Sequence, residues 1–201
     1  MRSLKAILIF IGFACAKRKG TNPTPADITN RQFGLAWSFK GPRSWPSNYD
    51  HCNDERQSPL DIIIADVMDD PFADLQFENY NEVVSGTLMN NGHTLQLDVS
   101  DDVDLYVYGS SLGDNAGDTK YRLQQVQFHW GLSQKEGSEH TIDGNRFPME
   151  LQLVHLRTDF AELNDTATLE SENPWAVIGI LFHVGNEASM ELQVINSFIQ
   201  N

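Results

Sequence analysis

Side chains able to do chemistry gather in two stretches of the chain. The first is Leu123-Gln124-Gln125-Val126-Gln127-Phe128-His129-Trp130-Gly131, and the second is Met149-Glu150-Leu151-Gln152-Leu153-Val154-His155-Leu156. Successive residues of a strand point to opposite faces. Gln125, Gln127 and His129 therefore share one side of the first strand, and Val126, Phe128 and Trp130 share the other. In the second stretch Glu150, Gln152 and Val154 share a face. Laid side by side, the two strands would line a polar cavity backed by an apolar layer. Imidazole suits either proton transfer near neutral pH or metal ligation. Carboxamide suits hydrogen bonding, because its neutral carbonyl oxygen offers a borderline-soft ion such as zinc far less than imidazole nitrogen or thiolate does. Gln127 and Gln152 are expected to pair amide to amide, and His129 to be a hydrogen-bonded cavity histidine.

The same residues resemble the α-class carbonic anhydrases. Gln125 to Gly131 is similar to that family's Gln-Phe-His-Phe-His-Trp-Gly, and Glu150 to His155 is similar to its Glu-Leu-His-Leu-Val-His. The resemblance puts three zinc-ligand positions at Gln127, His129 and Gln152, only one of them a histidine. It implies a proton-shuttle role for His93, which follows Asn90-Asn91-Gly92; without a zinc-bound water to serve, His93 reads as a surface turn histidine. Glu139, in Gly137-Ser138-Glu139-His140-Thr141, matches a carboxylate that accepts a hydrogen bond from a threonine hydroxyl above the zinc water. Gln125 and Glu150 match groups that orient the ligands, and Val154 and Val177 match the apolar wall where carbon dioxide sits.

The resemblance runs from about Trp37 to Asn201. It includes Gln57-Ser58-Pro59-Leu60-Asp61-Ile62 and the aromatic segment 37–46, where Phe39 stands in place of the family's tyrosine. That family's domain continues beyond the equivalent of Phe198, so a domain incomplete at the C-terminus is expected. Such a chain is either unstable alone, completed by another chain, or a truncated product. With two ligand positions substituted, the resemblance implies a catalytically silent carbonic anhydrase-related protein with no cofactor. The alternative is a zinc lyase interconverting carbon dioxide and bicarbonate. Two weaker readings have Glu150 swinging in as an oxygen ligand, or copper or nickel held loosely in the substituted site.

Positioning these side chains requires a sheet. Short β-prone stretches at 83–88, 93–99, 103–108, 149–156 and 175–182 are separated by turn signals, Asn90-Asn91-Gly92 and Gly113-Asp114-Asn115 among them. The fold class expected is mainly β (α+β): a carbonic anhydrase-like central twisted sheet, dominated by antiparallel pairs, with short helices. Trp175 to Phe182 is continuously apolar and suits a buried central strand. Met190, Leu192, Val194, Ile195 and Phe198 give residues 188–199 helical periodicity.

The chain has 201 residues and a formal net charge of -14. That charge disfavours nucleic acid and anionic membranes as partners and favours cations or basic proteins, such as matrix proteins. It also serves solubility alone. The acidic runs 66–70 and 98–104 lack the Asp-x-Asp-x-Asp-Gly layout of a calcium loop. Arg2 and Lys5 precede the apolar run Ala6 to Phe13 and then Ala14-Cys15-Ala16, the layout of a secretory signal. The run is too short for a membrane span. The domain reading is a signal peptide over 1–16, a flexible leader over 17–31 and the partial domain over 32–201, the product being extracellular. Cys52 is then the lone thiol of the mature chain, and the resemblance implies a disulfide with a cysteine beyond Asn201. Asn164-Asp165-Thr166 is a glycosylation sequon.

Overall fold

The computed structural model describes residues 57–68, 75–112, 117–163 and 173–184. The expected signal peptide and leader, the aromatic segment, Cys52, the turn at 113–115, Asn164 and the closing helix lie outside these described residues. Within them the protein is built from strands: β1 (Asp61–Ile62), β2 (Gln76–Glu78), β3 (Gly86–Asn90), β4 (Leu95–Val99), β5 (Tyr106–Tyr108), β6 (Tyr121–Trp130), β7 (Thr141–Ile142), β8 (Met149–Arg157) and β9 (Trp175–Phe182). Helical structure among the described residues is confined to two single 3₁₀ turns, Ile64–Asp66 and Ser110–Leu112.

Seven of the strands form one antiparallel sheet organised on β6. One side of β6 pairs with β8 along its whole length, and β8 pairs in turn with β9. The other side is shared: β5 pairs with the start of β6 and carries β2, while β4 pairs with Gln125–Phe128 and carries β3. Separately, β1 and β7 make a short parallel pair, tied by Thr141 Oγ1 donating to Asp61 Oδ1 at 2.6 Å.

Strand boundaries follow local chemistry more than apolar content. The stretch 83–88 pairs only from Gly86, where an added Cβ would lie 2.2 Å from the Asp98 carbonyl oxygen. Val83, before it, is 90 % exposed. The strand expected over 93–99 begins at Leu95, because the Asn91 side-chain oxygen accepts from the backbone N–H groups of His93 and Thr94 and holds them in a turn. Val103 and Leu105 are buried, yet pairing with the neighbouring strand begins only at Tyr106.

The long strand β6 is not one uninterrupted pleat. Leu123 opposes His155 and Gln125 opposes Val154, so Gln124 is an extra residue on one side of the ladder. That bulge lets Leu123 pack with Val126, Phe128, Leu95, Val103 and Leu105 in one core cluster, although it has the parity of Gln125. Behind β9, Ala176 and Ile178 pack with Val107, Leu112 and Tyr121. On its other face Val177 and Leu181 pack with Val154 and are flanked by Ile62, Ile142, Phe147 and Leu163. The continuous apolar run is thus buried on both faces, as expected of an interior strand. Among the described residues β9 has β8 as its only paired neighbour, at the end of the sheet. Each aliphatic side chain buried in these clusters contributes about 1.5–3 kcal/mol.

Candidate functional site

Cross-strand register assembles the polar face that strand alternation anticipates. Gln96 of β4 stands opposite Gln127 of β6, which stands opposite Gln152 of β8, which stands opposite Gly179 of β9. The next row is Asp98, Gln125, Val154 and Val177, and another is His129, Glu150 and Leu181. Four carboxamides, an imidazole and two carboxylates therefore meet an apolar wall on adjacent strands. Val154 and Val177 are buried within that wall.

Glu139 reaches this face from the loop before β7, and the loop is tightly fixed. The backbone N–H groups of Gly137 and Ser138 both donate to the Phe147 carbonyl, at 3.0 and 2.8 Å. Ser138 Oγ donates to the His140 carbonyl at 2.6 Å and accepts from the Phe147 N–H at 2.9 Å. A Cβ on Gly137 would lie 1.7 Å from the Pro148 carbonyl oxygen, so no side chain fits there. The loop is pinned to β8 through Glu150, whose Oε2 accepts from the backbone N–H groups of Glu139 and His140, both at 2.9 Å.

Glu150 is fully buried and fully occupied. Its Oε1 accepts from His140 Nδ1 at 2.7 Å and from Gln152 Nε2 at 3.0 Å. Burial opposes its charge, but the His140 side-chain and backbone contacts and the Gln152 hydrogen bond outweigh it and hold its carboxyl below the ordinary glutamate range. All this capacity is spent on protein donors, which leaves none for the oxygen-ligand role considered from sequence.

The expected amide-to-amide pair does not form. Gln127 Nε2 donates to Gln125 Oε1 at 3.3 Å, and Gln152 Nε2 donates to Glu139 Oε2 at 2.8 Å as well as to Glu150. Charged acceptors bind an N–H about twice as strongly as a neutral carbonyl does, so Gln152 turns to the carboxylates. His129 is buried, with Nδ1 3.7 Å from Glu139 Oε1. Among the described residues no three His, Cys, Asp or Glu side chains converge as a metal-binding group.

His93 lies half-buried in the turn leading into β4. The turn is tied to the site strands: Thr94 Oγ1 donates to the Phe128 carbonyl of β6, Asn91 Nδ2 donates to Gln96 Oε1 at 3.0 Å, and Gln96 Nε2 donates to Asp98 Oδ1 at 2.6 Å. Sequence reasoning missed two buried histidines. His140 lies inside the quoted Gly137–Thr141 motif, and its proximity to Glu150 was not legible from spacing. His155 Nδ1 donates to the Ala176 carbonyl at 3.1 Å, and its Nε2 accepts from the Tyr80 hydroxyl. Desolvation pushes the His155 pKa down to about 4, against smaller opposing effects of backbone hydrogen bonds, and burial raises that of Tyr80.

Comparison with known proteins places this architecture. A family model for eukaryotic-type carbonic anhydrase matches residues 40–201. Carbonic anhydrase 7 of Homo sapiens is 35 % identical over 149 residues, covering 73 % of this chain and 54 % of the relative. Its counterpart in Mus musculus is 35 % identical over 148 residues with the same coverage. A protein described as putative carbonic anhydrase 3 of Caenorhabditis elegans is 34 % identical over 151 residues, covering 73 % of this chain and 52 % of the relative. The chain spans about half the length of the curated relatives it matches.

Proposed function

Because the chain belongs to the eukaryotic-type carbonic anhydrase family, we propose that it is a catalytically silent member of it: a secreted, acidic carbonic anhydrase-related protein that acts by binding. The observation that carries this reading is the hydrogen bonding of Gln152. At a position the sequence resemblance gives to a zinc ligand, its amide nitrogen faces two carboxylates as a donor. Gln127, at a second such position, likewise donates, to Gln125. One imidazole and two carboxamides do not fit zinc, which takes three or four good nitrogen, sulfur or carboxylate ligands. His93 then has no metal-bound water to serve.

The binding partner in this reading is a cation or a basic protein, such as an extracellular or mineral-associated matrix component. Its support is the charge of -14 together with the signal-like first sixteen residues. A second reading, a zinc-dependent carbonic anhydrase hydrating carbon dioxide to bicarbonate, is favoured by the convergence of His129, Glu139, Glu150, Val154 and Val177 on one face. The names of the relatives favour it too.

Zinc content per mole of the purified exported product, with carbon dioxide hydration followed on the same sample, separates the two. Little zinc and no hydration above the uncatalysed rate are expected. Zinc near one per chain with sulfonamide-sensitive hydration would overturn the silent reading.

A further inference from the structure

We infer that Gln152 takes the place of a metal ion in the electrostatics of this site, its amide N–H groups holding the Glu139 and Glu150 carboxylates together in a closed, metal-independent arrangement. The inference rests on the silent reading and explains how the site stays folded under it. Two carboxylates converge on one nitrogen: Nε2 of Gln152 lies 2.8 Å from Glu139 Oε2 and 3.0 Å from Glu150 Oε1. Gln152 is 3 % exposed and Glu150 is fully buried, while the Glu139 side chain is 24 % exposed, so water screens the repulsion between the two carboxylates only in part. Like charges brought this close need a cation or donor groups between them. The neutral amide supplies two N–H groups on one nitrogen, one for each carboxylate.

Imidazole would not serve equally. The neutral ring has a single N–H, and even the protonated ring carries its two donors on separate nitrogens that point in divergent directions. An amide nitrogen also accepts no proton under ordinary conditions, so the bridge is static and carries no proton between the two carboxylates. Its reach is structural in a specific way. Glu150 Oε2 holds the backbone of Glu139 and His140, while Gln152 holds the Glu139 side chain. The loop that carries Glu139 is therefore clamped to β8 at both its main chain and its side chain. Gln152 is a positioning residue for Glu139.

The test is a double-mutant cycle on thermal unfolding of the full chain in EDTA, using Gln152→Met, Glu139→Gln and the pair. Methionine keeps the length of the side chain and removes both donors. Gln152→Met is expected to lower Tm by roughly 4–8 °C, the loss of charge-assisted hydrogen bonds in a chain of this size. In the Glu139→Gln background the same substitution is expected to cost at least about 2 °C less, because one of its two charged acceptors is already gone. A Gln152→Met protein melting with the parent, or a cost identical in both backgrounds, overturns the inference. Should Gln152→Met fail to fold, Glu139→Gln alone reads the bridge: a lowered Tm supports it and an unchanged Tm overturns it. Equimolar zinc added to the parent protein is the separate arm. A rise of several degrees there sinks the zinc-free reading itself, whereas failure of the cycle in EDTA sinks only the role given to Gln152.

Discussion

His155 lies wholly inside the sheet, and its chemistry sets how the protein responds to acid. Nδ1 donates to the Ala176 carbonyl and Nε2 accepts from Tyr80, so the neutral ring satisfies both nitrogens and a second proton would reverse the bond to Tyr80, leaving the tyrosine O–H without its acceptor. Burial lowers its pKa from 6.5 to about 4 in the folded protein. The unfolded chain takes up the proton as pH falls below about 6.5, while the folded chain resists until about 4. Stability is therefore full above the unfolded value and declines as pH drops through that window. At 1.36 kcal/mol per pH unit, the loss is about 2 kcal/mol at pH 5 and approaches ~3.4 kcal/mol below pH 4. Urea unfolding at pH 7 and pH 5 measures it, provided the slope of the transition is the same at both. The His155→Gln variant supplies the control: less stable at pH 7, it is expected to lose about 2 kcal/mol less on acidification than the parent. If parent and variant lose stability equally between pH 7 and pH 5, the acid response does not arise at His155 and the reasoning is refuted.

Tyr80→Phe leaves His155 Nε2 buried without its donor and is expected to cost about 1–3 kcal/mol by urea unfolding. Leu156→Ala, at a side chain 2 % exposed, should cost about 2–5 kcal/mol in the same assay, with the upper half of the range if the core fails to collapse around it. Gly137→Ala drives a methyl group into the Pro148 carbonyl and displaces the loop carrying Glu139. Hydrogen exchange at the amides of Glu139 and His140, which Glu150 holds, is expected to accelerate markedly. Placing histidine at both 127 and 152 supplies the imidazoles zinc wants, and metal analysis of that double variant is expected to show more zinc per chain than the parent.

Much of the site was legible because strand parity is a simple rule. Once Gln125, Gln127 and His129 are put on one face, the antiparallel neighbour must present Glu150, Gln152 and Val154 to the same space, and register confirms it. The mainly β fold and the limits of β9 followed from apolar patterning for the same reason. Partner choice was not legible. Whether Gln152 bonds to Gln127 or to a carboxylate depends on where the loop before β7 delivers Glu139, and that is fixed by Phe147, Ser138 and Gly137 rather than by anything near Gln152 in sequence. The buried contact of Tyr80 with His155 joins residues 75 positions apart, with no periodicity to announce it. The late starts of β3 and β4 turned on side-chain capture of backbone groups and on one close approach at Gly86.

The extra residue at Gln124 works as a phase shift along β6. Upstream of it, odd-numbered Leu123 belongs to the hydrophobic interior; downstream, odd-numbered Gln125, Gln127 and His129 belong to the polar face. Were the same residues to run as one regular pleat, without the bulge, one half of the strand would have to present its sides in reverse. Either three polar side chains would enter the core, or Tyr121 and Leu123 would leave it. The polar face is thus separated from the core by a matter of counting: deletion of Gln124 itself would leave Leu123 and Gln125 on opposite sides of a regular pleat, whereas a deletion within the paired residues that follow would turn part of the strand over.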